Sequence, residues 1–585
     1  MKLTSRFNKK PFIAVKGKED ACVTGWPSIE RELNEALEQR KGKDATVVIE
    51  TYHGVYLEEL RSAMNDIFQP DRLIDTATLF RPEDEVRTIT YPDVTDDRVF
   101  GYMTRLHMED LMDREALERT REEGSDASGL TVIFGYGASL ACPEPDLLIY
   151  ADMARWEIQQ RQRRKEVDNL GITNRDEHPE LKYKRGFFVD WRICDRLKKR
   201  TMDRWDYVLD TNDPASPKLA SGEAVRDGLR QAARQPFSVV PFFDPGPWGG
   251  QWMKKRFELD EESENFAWCF NCVPEENSLL LGFGDIRFEI PAINLVFFQP
   301  RNLLGDPVHA RFGDEFPIRF DFLDTMAGGN LSLQVHPLTE YIQEKFGMHY
   351  TQDESYYLMD ADHDGSVFLG LKEGIDPAQM TRELKIAEKE GSLFEAEKFV
   401  ENWPAKKHDH FLIPAGTIHC SGRNGMVLEI SATPYIFTFK LYDWGRTNLD
   451  GKPRPINVKH GINNIQWDRT TSWTRENLVG RVEKIDEGDG WIQEKTGLHE
   501  REFIETHRHW FTKTVPHHTH GGVNVMNLVE GDEVVVESPN HAFDPFVVHY
   551  AETFIVPAAV GSFTVRPHGP SEGKECATIK AFIRF

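Results

Sequence analysis

Residues 331–337 read LSLQVHP, and this run decides how the middle of the chain is interpreted. Successive strand residues point to opposite faces, so Ser332, Gln334 and His336 share one face while the apolar residues between them share the other. An amide or imidazole that is buried without a partner is costly. The run therefore predicts a strand with one core face and one face that forms a site.

The length and composition of the chain limit the classes of protein it can be. Its 585 residues exceed what one hydrophobic core supports and predict three or four domains. A net charge of -25 argues against binding to nucleic acid or to an anionic membrane. The apolar runs are too short to span a bilayer, the N-terminus does not read as a secretory signal, and seven scattered cysteines do not suggest a disulfide framework. We expect a cytoplasmic protein.

Changes in patterning divide the chain into blocks. Residues 1–215 mix strand-like runs with helical patterns and predict an α/β domain. The stretch DTNDPASPKLASGEA predicts a linker, which we place at residues 216–235. Residues 236–470 show short β runs between turns, with a helical insertion at about 375–405, and residues 471–585 repeat that style. The expected fold is multidomain, with one α/β domain followed by two β-barrel domains.

Two segments downstream of LSLQVHP supply further residues of metal-ligand type. TQDESYYLMD carries Glu354, and DHFLIPAGTIHCSG carries His419. Together with Gln334 and His336 they offer one amide oxygen, two imidazoles and one carboxylate, which suits a borderline divalent metal such as zinc. The alternative is that Gln334 and His336 are hydrogen-bonded core residues unrelated to the other two.

The order and the motifs of these segments resemble those of the type I phosphomannose isomerases, which are metal-dependent cupins. The matching motifs are LSLQVHP, ESYYL, IPAGTIHCSG and VLEIS, together with GPWGG, FPIRFDFLD and KLYDWGR. The resemblance covers about residues 240–585 and implies that both β domains are cupin barrels. It implies that Gln334, His336, Glu354 and His419 bind one zinc ion in the first barrel.

The resemblance also implies an activity. Members of the family interconvert an aldose and a ketose, mannose-6-phosphate and fructose-6-phosphate, through an enediol. Glu429 in MVLEIS matches an acid/base position, and Lys440 in FKLYDW is a second catalytic candidate. The expected partner is a small sugar or sugar phosphate, and a homodimer is a further expectation.

The chain departs from the family around the phosphate site. Asp321 in FDFLD stands where the family carries a lysine, and Gln352 stands where a second lysine is usual. Lys440 replaces an arginine, which keeps the charge but loses the planar fork. These changes weaken a phosphate site, because phosphate recognition depends on charge-assisted hydrogen bonds. The remaining candidates for substrate contact are Ser332, Arg319 and Arg446.

Three functions stay open on the sequence. The chain is a sugar-phosphate isomerase with a rebuilt anion site, a metal-bearing enzyme that acts on a neutral sugar, or a non-catalytic sugar-binding or regulatory protein that keeps zinc for its structure. Arg319 either compensates for the missing lysines or pairs with Asp321 on the same strand face.

Two further clusters have metal-like spacing. VPHHTHGG carries His517, His518 and His520, and the H-x-H spacing places two imidazoles on one strand face. The later run ETFIVPAAVGSFTV supplies no partner histidine, so a packing or interface role is favoured over a second metal. Cys269 and Cys272 form a CxxC pair, but strand residues three apart face opposite sides, so we predict core or edge cysteines.

The first block resembles part of a P-loop nucleoside kinase such as uridine kinase, over about residues 40–210. The matching stretch is LTVIFGYGASLACPEPDLLIYADMARWEIQQRQRR. The loop G-x-x-x-x-G-K-[ST] is absent, because TYHGVYLEE has one glycine, Gly54, and no lysine for the phosphates. The resemblance implies a degenerate domain that serves as a sensor, a dimerisation surface or a lid. The alternative is an unrelated α/β domain whose arginines lie on a solvated helix face.

Overall fold

The computed structural model describes residues 6–40, 44–125, 129–433, 435, 437–446, 454–497 and 500–585, apart from the side chains of residues 123–125. All the site residues predicted above lie within these ranges. Within them, the structure contains no helix that is long and apolar enough to cross a bilayer.

The N-terminal unit is an α/β layer structure around one sheet. Its strands are β1 (Ile13–Ala14), β2 (Cys22–Thr24), β3 (Thr46–Thr51), β4 (Arg72–Asp75), β5 (Thr131–Gly135), β6 (Leu147–Asp152), β7 (Tyr207–Asp210) and β8 (Lys218–Ser221). Its helices are α1 (Trp26–Glu38), α2 (Leu57–Phe68), α3 (Glu83–Val94), α4 (Met108–Leu111), α5 (Arg114–Ser125), α6 (Ala138–Ala141), α7 (Arg155–Arg163), α8 (Pro179–Arg185), α9 (Trp191–Thr201) and α10 (Gly222–Ala232).

The sheet of this unit has seven strands in the order β2-β8-β7-β6-β3-β5-β4. Strands β3 to β7 run parallel to one another. Strand β8 is antiparallel to β7, and β2 is antiparallel to β8. The central strands β5 and β6 are buried along their whole length. Burial on both faces explains why they read as continuous apolar runs rather than as alternating patterns.

The predicted linker at residues 216–235 is wrong, because most of it is regular structure. Residues 218–221 form β8, which pairs with β7, and the next eleven residues form α10. The Ser221 side chain accepts the N–H of Ala224 and caps the helix, which buries Val225 and Leu229 one turn apart. The Pro, Ser and Asp residues before β8 form only a turn between two strands.

Two of the three arginines of α7 are buried, and Arg163 at the end of the helix is exposed. Arg155 and Arg161 are 1% and 0% exposed. Arg155 pairs with Asp195 at 2.5 Å and with Glu275 of the first β domain, while Arg161 lies 3.7 Å over the ring of Tyr56. Because a buried charge is costly unless it is paired, this network fixes the N-terminal unit against the first β domain.

The first β domain contains two facing sheets. Its strands are β9 (Phe242–Asp244), β10 (Trp268–Cys272), β11 (Ser278–Phe283), β12 (Ile286–Pro291), β13 (Arg319–Asp324), β14 (Leu333–Val335), β15 (Glu354–Ala361), β16 (Ser366–Leu371), β17 (Val400–Pro404), β18 (His410–Ile413), β19 (His419–Ser421), β20 (Gly425–Ser431) and β21 (Phe439–Tyr442). Its helices are α11 (Trp252–Arg256), α12 (Ile293–Phe298), α13 (Pro300–Leu304), α14 (Asp306–Phe312), α15 (Thr339–Phe346), α16 (Pro377–Glu390), α17 (Ala396–Phe399) and α18 (Val458–Ile462).

The two sheets have the orders β18-β15-β20-β13-β10-β9 and β17-β16-β19-β14-β21. A separate sheet, β1-β11-β12, joins the start of the chain to this domain. The predicted helical insertion contains α16 and α17. One hydrophobic cluster runs through both the N-terminal unit and the first β domain, so their cores are continuous.

The second β domain begins with a short helix and repeats the two-sheet arrangement. Its elements are α19 (Thr471–Asn477), β22 (Glu483–Gly488), β23 (Trp491–Gly497), β24 (Ile504–Phe511), β25 (Val515–His518), β26 (Asn524–Glu530), β27 (Glu533–Glu537), β28 (Phe546–His549), β29 (Thr553–Val556), β30 (Ser562–Pro567) and β31 (Cys576–Ile583). The sheets have the orders β22-β23-β24-β31-β26-β29 and β25-β30-β27-β28. They enclose a hydrophobic cluster of their own.

Candidate metal centre

Strand pairing places three polar side chains of the five-stranded sheet in one row. Gln334 on β14 lies opposite His419 on β19 and opposite Lys440 on β21. Directly opposed residues of antiparallel strands point to the same face. Leu333 and Val335 are fully buried in the core, as the alternation of LSLQVHP predicts.

The six-stranded sheet supplies polar rows from its own strands. Glu354 on β15 and Arg319 on β13 both lie opposite Ser431 on β20. The row two residues along these strands contains Asp321, Glu429 and Tyr356.

Glu354 connects the two sheets through both of its carboxylate oxygens. Its Oε2 atom lies 3.1 Å from His336 Nε2, and its Oε1 atom lies 2.8 Å from His419 Nε2. The amide of Gln334 lies 3.2 Å from the same His419 nitrogen. All four residues are buried, so the structure brings the four predicted metal ligands together.

Backbone carbonyl groups fix the orientation of both imidazoles. His336 Nδ1 donates to the carbonyl of Phe437, and His419 Nδ1 donates to the carbonyl of Thr417, each at 2.9 Å. With the proton on Nδ1, each Nε2 carries a lone pair, and both lone pairs face the Glu354 carboxylate. This arrangement is repulsive unless a cation, either a metal ion or a second proton on the imidazoles, lies between the three groups.

Unsatisfied atoms and the donor set both fit a divalent cation. Within the described residues, His336 Nε2 and Glu354 Oε1 are buried without a hydrogen-bond partner. Candidate ligand atoms of His336, Glu354 and His419 all lie within 4.8 Å of one another. Two imidazoles and a carboxylate, with an amide beside them, are ligands that zinc accepts.

A glutamine and an arginine donate hydrogen bonds to the carboxyl groups beside this centre. Gln352 Nε2 lies 3.0 Å from Glu354 and 3.3 Å from Glu429. Burial and then the charge of Asp321 raise the pKa of Glu429 well above its usual range. Burial raises the pKa of Asp321 to about 6 against the lowering effect of Arg319, which donates to it at 3.0 Å. Arg319 therefore pairs with Asp321, as one of the two alternatives from sequence expected.

Two predicted substrate contacts, Ser332 and Arg446, bond to another carboxylate, that of Asp443. Ser332 donates to Asp443 Oδ1 at 2.8 Å, and Arg446 lies 2.9 Å from the same oxygen. Arg454 lies 3.0 Å from the other oxygen. The Lys440 side chain makes no ion pair or hydrogen bond to any described residue, and burial lowers its pKa. Lys440 is therefore better placed than Ser332 or Arg446 to meet a ligand.

Sequence reasoning missed a contact between the N-terminal unit and the metal centre. The ring of Tyr435 lies 4.1 Å from that of Phe187 and 5.8 Å from that of Tyr183. Tyr435 belongs to the connection between β20 and β21, which also carries Phe437, the acceptor for His336. Residues 183 and 187 show no sequence pattern that indicates this contact, and a backbone acceptor leaves no side-chain signal.

The other two clusters do not form a comparable group. Cys269 and Cys272 are both buried in β10, and burial raises the pKa of each thiol. Among the residues that the structure describes, His336, Glu354 and His419 are the only set of three His, Cys, Asp or Glu side chains close enough to share a metal.

Comparisons with known proteins match different parts of the chain. The profile of a family described as a domain of unknown function, DUF8485, matches residues 25–234. Mannose-6-phosphate isomerase ManA of Bacillus subtilis is 25% identical over 238 residues, which is 40% of this chain and 68% of that protein. Mannose-6-phosphate isomerase of Streptococcus mutans is 26% identical over 217 residues, 37% of this chain and 63% of that protein.

Solved structures with some likeness carry the same name. The mannose 6-phosphate isomerase from Bacillus subtilis is 19% identical with a TM-score of 0.48, over 60% of this chain and all of that one. A zinc-bound mannose 6-phosphate isomerase is 11% identical with a TM-score of 0.46, over the same shares of both chains.

Proposed function

We propose that the first β domain is a zinc-dependent aldose–ketose isomerase that acts on a sugar phosphate of the mannose-6-phosphate type. The observation that carries the proposal is the convergence of two imidazole Nε2 atoms and a carboxylate at one buried point. The partial similarity to mannose-6-phosphate isomerases supports the same reaction class.

In this proposal Gln334, His336, Glu354 and His419 hold the metal, which would polarise the carbonyl or hydroxyl of the sugar. Glu429 would carry the C2 proton. Its carboxyl shares the Gln352 amide with Glu354, which supports a position close to the proposed metal. A positioned carboxyl group of this kind contributes general acid–base catalysis.

Lys440 would contact the anionic or hydroxyl end of the substrate. It lies beside Gln334 in the strand register, so its ammonium group extends from the row that carries a metal ligand. Arg319, Ser332 and Arg446 are assigned to shaping the site through their carboxylate partners rather than to direct contact.

A neutral sugar is the second candidate substrate. Arg319 is compensated by Asp321, and Gln352 bonds to two carboxyl groups, so neither position offers free positive charge for a phosphate. Phosphate binding relies on such charge-assisted bonds.

Deuterium exchange at C2 tests both candidates. The zinc-loaded protein is incubated in heavy water with mannose-6-phosphate, fructose-6-phosphate, mannose or fructose, and the sugars are analysed by mass spectrometry. The proposal expects exchange with the two phosphates. Exchange with only the free sugars would transfer the assignment to the neutral-sugar candidate, and no exchange with any of the four would reject an isomerase.

A further inference from the structure

The interior of the second β domain contains a polar group of side chains at one end of an apolar core. Lys580 on β31 lies opposite His507 on β24 and Met526 on β26. Met526 belongs to the hydrophobic cluster between the two sheets, so the Lys580 side chain shares that inner face. His509 lies in the next row of the same face, opposite Thr578.

The facing sheet contributes a histidine to the same place. His517 on β25 pairs with Phe563, another member of the inner cluster, and its ring stacks on that phenyl ring at 5.0 Å. The rings of His509 and His517 lie 4.5 Å apart. Lysine and histidine side chains from both sheets therefore meet inside the domain.

These three side chains are buried without a hydrogen-bonded partner, although the Lys580 ammonium lies 5.4 Å from the centre of the Phe582 ring. Their exposed fractions are 2% for His509, 7% for His517 and 7% for Lys580. Within the described part of the chain, none of them makes a hydrogen bond or an ion pair, and His509 Nδ1 and His517 Nε2 are enclosed without a partner. Glu505, the carboxylate whose charge acts on Lys580, already bonds to His507 at 2.7 Å.

The chemistry of the cluster favours a ligand with negative charge. Burial lowers the pKa of Lys580 to about 8, so the group is still mainly an ammonium ion near neutral pH. Burial also lowers the pKa of both imidazoles, which are then neutral and carry one N–H each. The three side chains thus present one cation with N–H donors, and the nearby carboxylate of Glu505 is bonded to His507, which opposes a metal ion and suits an oxyanion.

We propose that the second β domain binds a small oxyanion, the carboxylate or phosphate group of a metabolite, between Lys580, His509 and His517. The exposed residues His518 and His520 follow His517 in the chain, and their rings lie 4.7 Å apart at the surface end of the cluster. The site lies in a different domain from the metal centre and does not depend on the isomerase assignment.

Calorimetric titration of the full-length protein with inorganic phosphate and, separately, with acetate tests the proposal. Wild type is expected to bind at least one of the two anions, and the arm that responds identifies the phosphate or carboxylate source. Lys580→Met should weaken that binding at least about tenfold, because a charge-assisted bond is removed. The exposed Lys574→Met is the control and should keep it.

A second readout separates binding from a structural role. Without added anion, Lys580→Met should melt at the same temperature as wild type or higher, because the uncompensated buried charge is gone. His517→Phe keeps the stacking on Phe563 and should also lose anion binding. Equal anion affinity in wild type and both variants, no binding of either anion, or a second zinc ion that disappears in His509→Ala would overturn the proposal.

Discussion

His336 donates its Nδ1–H to the carbonyl of Phe437 at 2.9 Å, which turns Nε2 toward the Glu354 carboxylate. Two residues before Phe437, Tyr435 packs against Phe187 of the N-terminal unit. The connection between β20 and β21 therefore orients His336, a proposed metal ligand, on one side and contacts the N-terminal unit on the other. Packing of the N-terminal unit on Tyr435 can therefore affect the orientation of His336 in the candidate metal centre.

Phe187→Ala should weaken the contact between the N-terminal unit and the connection that orients His336. The side chain is fully buried, so its loss should cost about 3–5 kcal/mol of stability, and looser support of His336 should lower zinc affinity by up to about tenfold. Thermal unfolding and competition with a chelator measure the two effects. Phe585→Ala, at a residue 67% exposed, is the control. Loss of stability with unchanged zinc affinity would show that the contact is structural only.

Lys440→Met should leave the zinc content unchanged and reduce turnover. If Lys440 binds the phosphate, kcat/KM for the sugar phosphate should fall by about 10- to 100-fold, which is the size of one charged hydrogen bond. The value for the free sugar should fall much less. Lys459→Met, at an exposed lysine, serves as the control. An equal fall for both substrates would place Lys440 at the reacting atoms instead.

Glu50 gives the N-terminal unit a predictable dependence on pH. Burial raises its pKa from 4.5 to about 7, although Gly137 and Ser139 donate hydrogen bonds to its carboxylate. Because the pKa of Glu50 is higher in the folded than in the unfolded state, protonation of Glu50 stabilises the folded state. This stabilisation is complete below pH 4.5 and is lost as the pH rises to about 7.

Glu50→Gln should remove that dependence. Relative to wild type, the variant should gain up to about 3 kcal/mol of stability between about pH 5 and about pH 8, since it cannot ionise. The glutamine amide also lowers stability by an amount that does not depend on pH, because its NH2 group faces the donors of Gly137 or Ser139. The two proteins are therefore compared by how their stability changes with pH. Melting temperatures of both proteins across this range give the answer, and parallel curves would contradict the assignment.

The sequence predicted which residues come together in the candidate metal centre because their signal is local. Alternation in LSLQVHP places Gln334 and His336 on one strand face, and Glu354 and His419 stand in recognisable phrases. It could not show that Ser332 and Arg446 share Asp443, because such a pairing depends on which strands become neighbours.

Predictions from local composition were wrong where tertiary contacts bury the segment. Residues 216–235 were predicted to be a linker from their turn residues, yet α10 packs an apolar face. The arginines of α7 look solvated until Asp195 and Glu275 are brought to Arg155 from distant positions. The resemblance of the N-terminal unit to a degenerate nucleoside kinase, the homodimer and the cytoplasmic location stay predictions.

Metal content tests the central claim most directly. Elemental analysis of protein loaded with zinc and then desalted should give one zinc ion per chain in wild type and none in His336→Ala or His419→Ala. His410→Ala is the matched control, because His410 is a buried histidine of the same domain that pairs with Tyr357 rather than with a ligand. It should keep its zinc. One zinc ion per chain in both His336→Ala and His419→Ala would contradict the account.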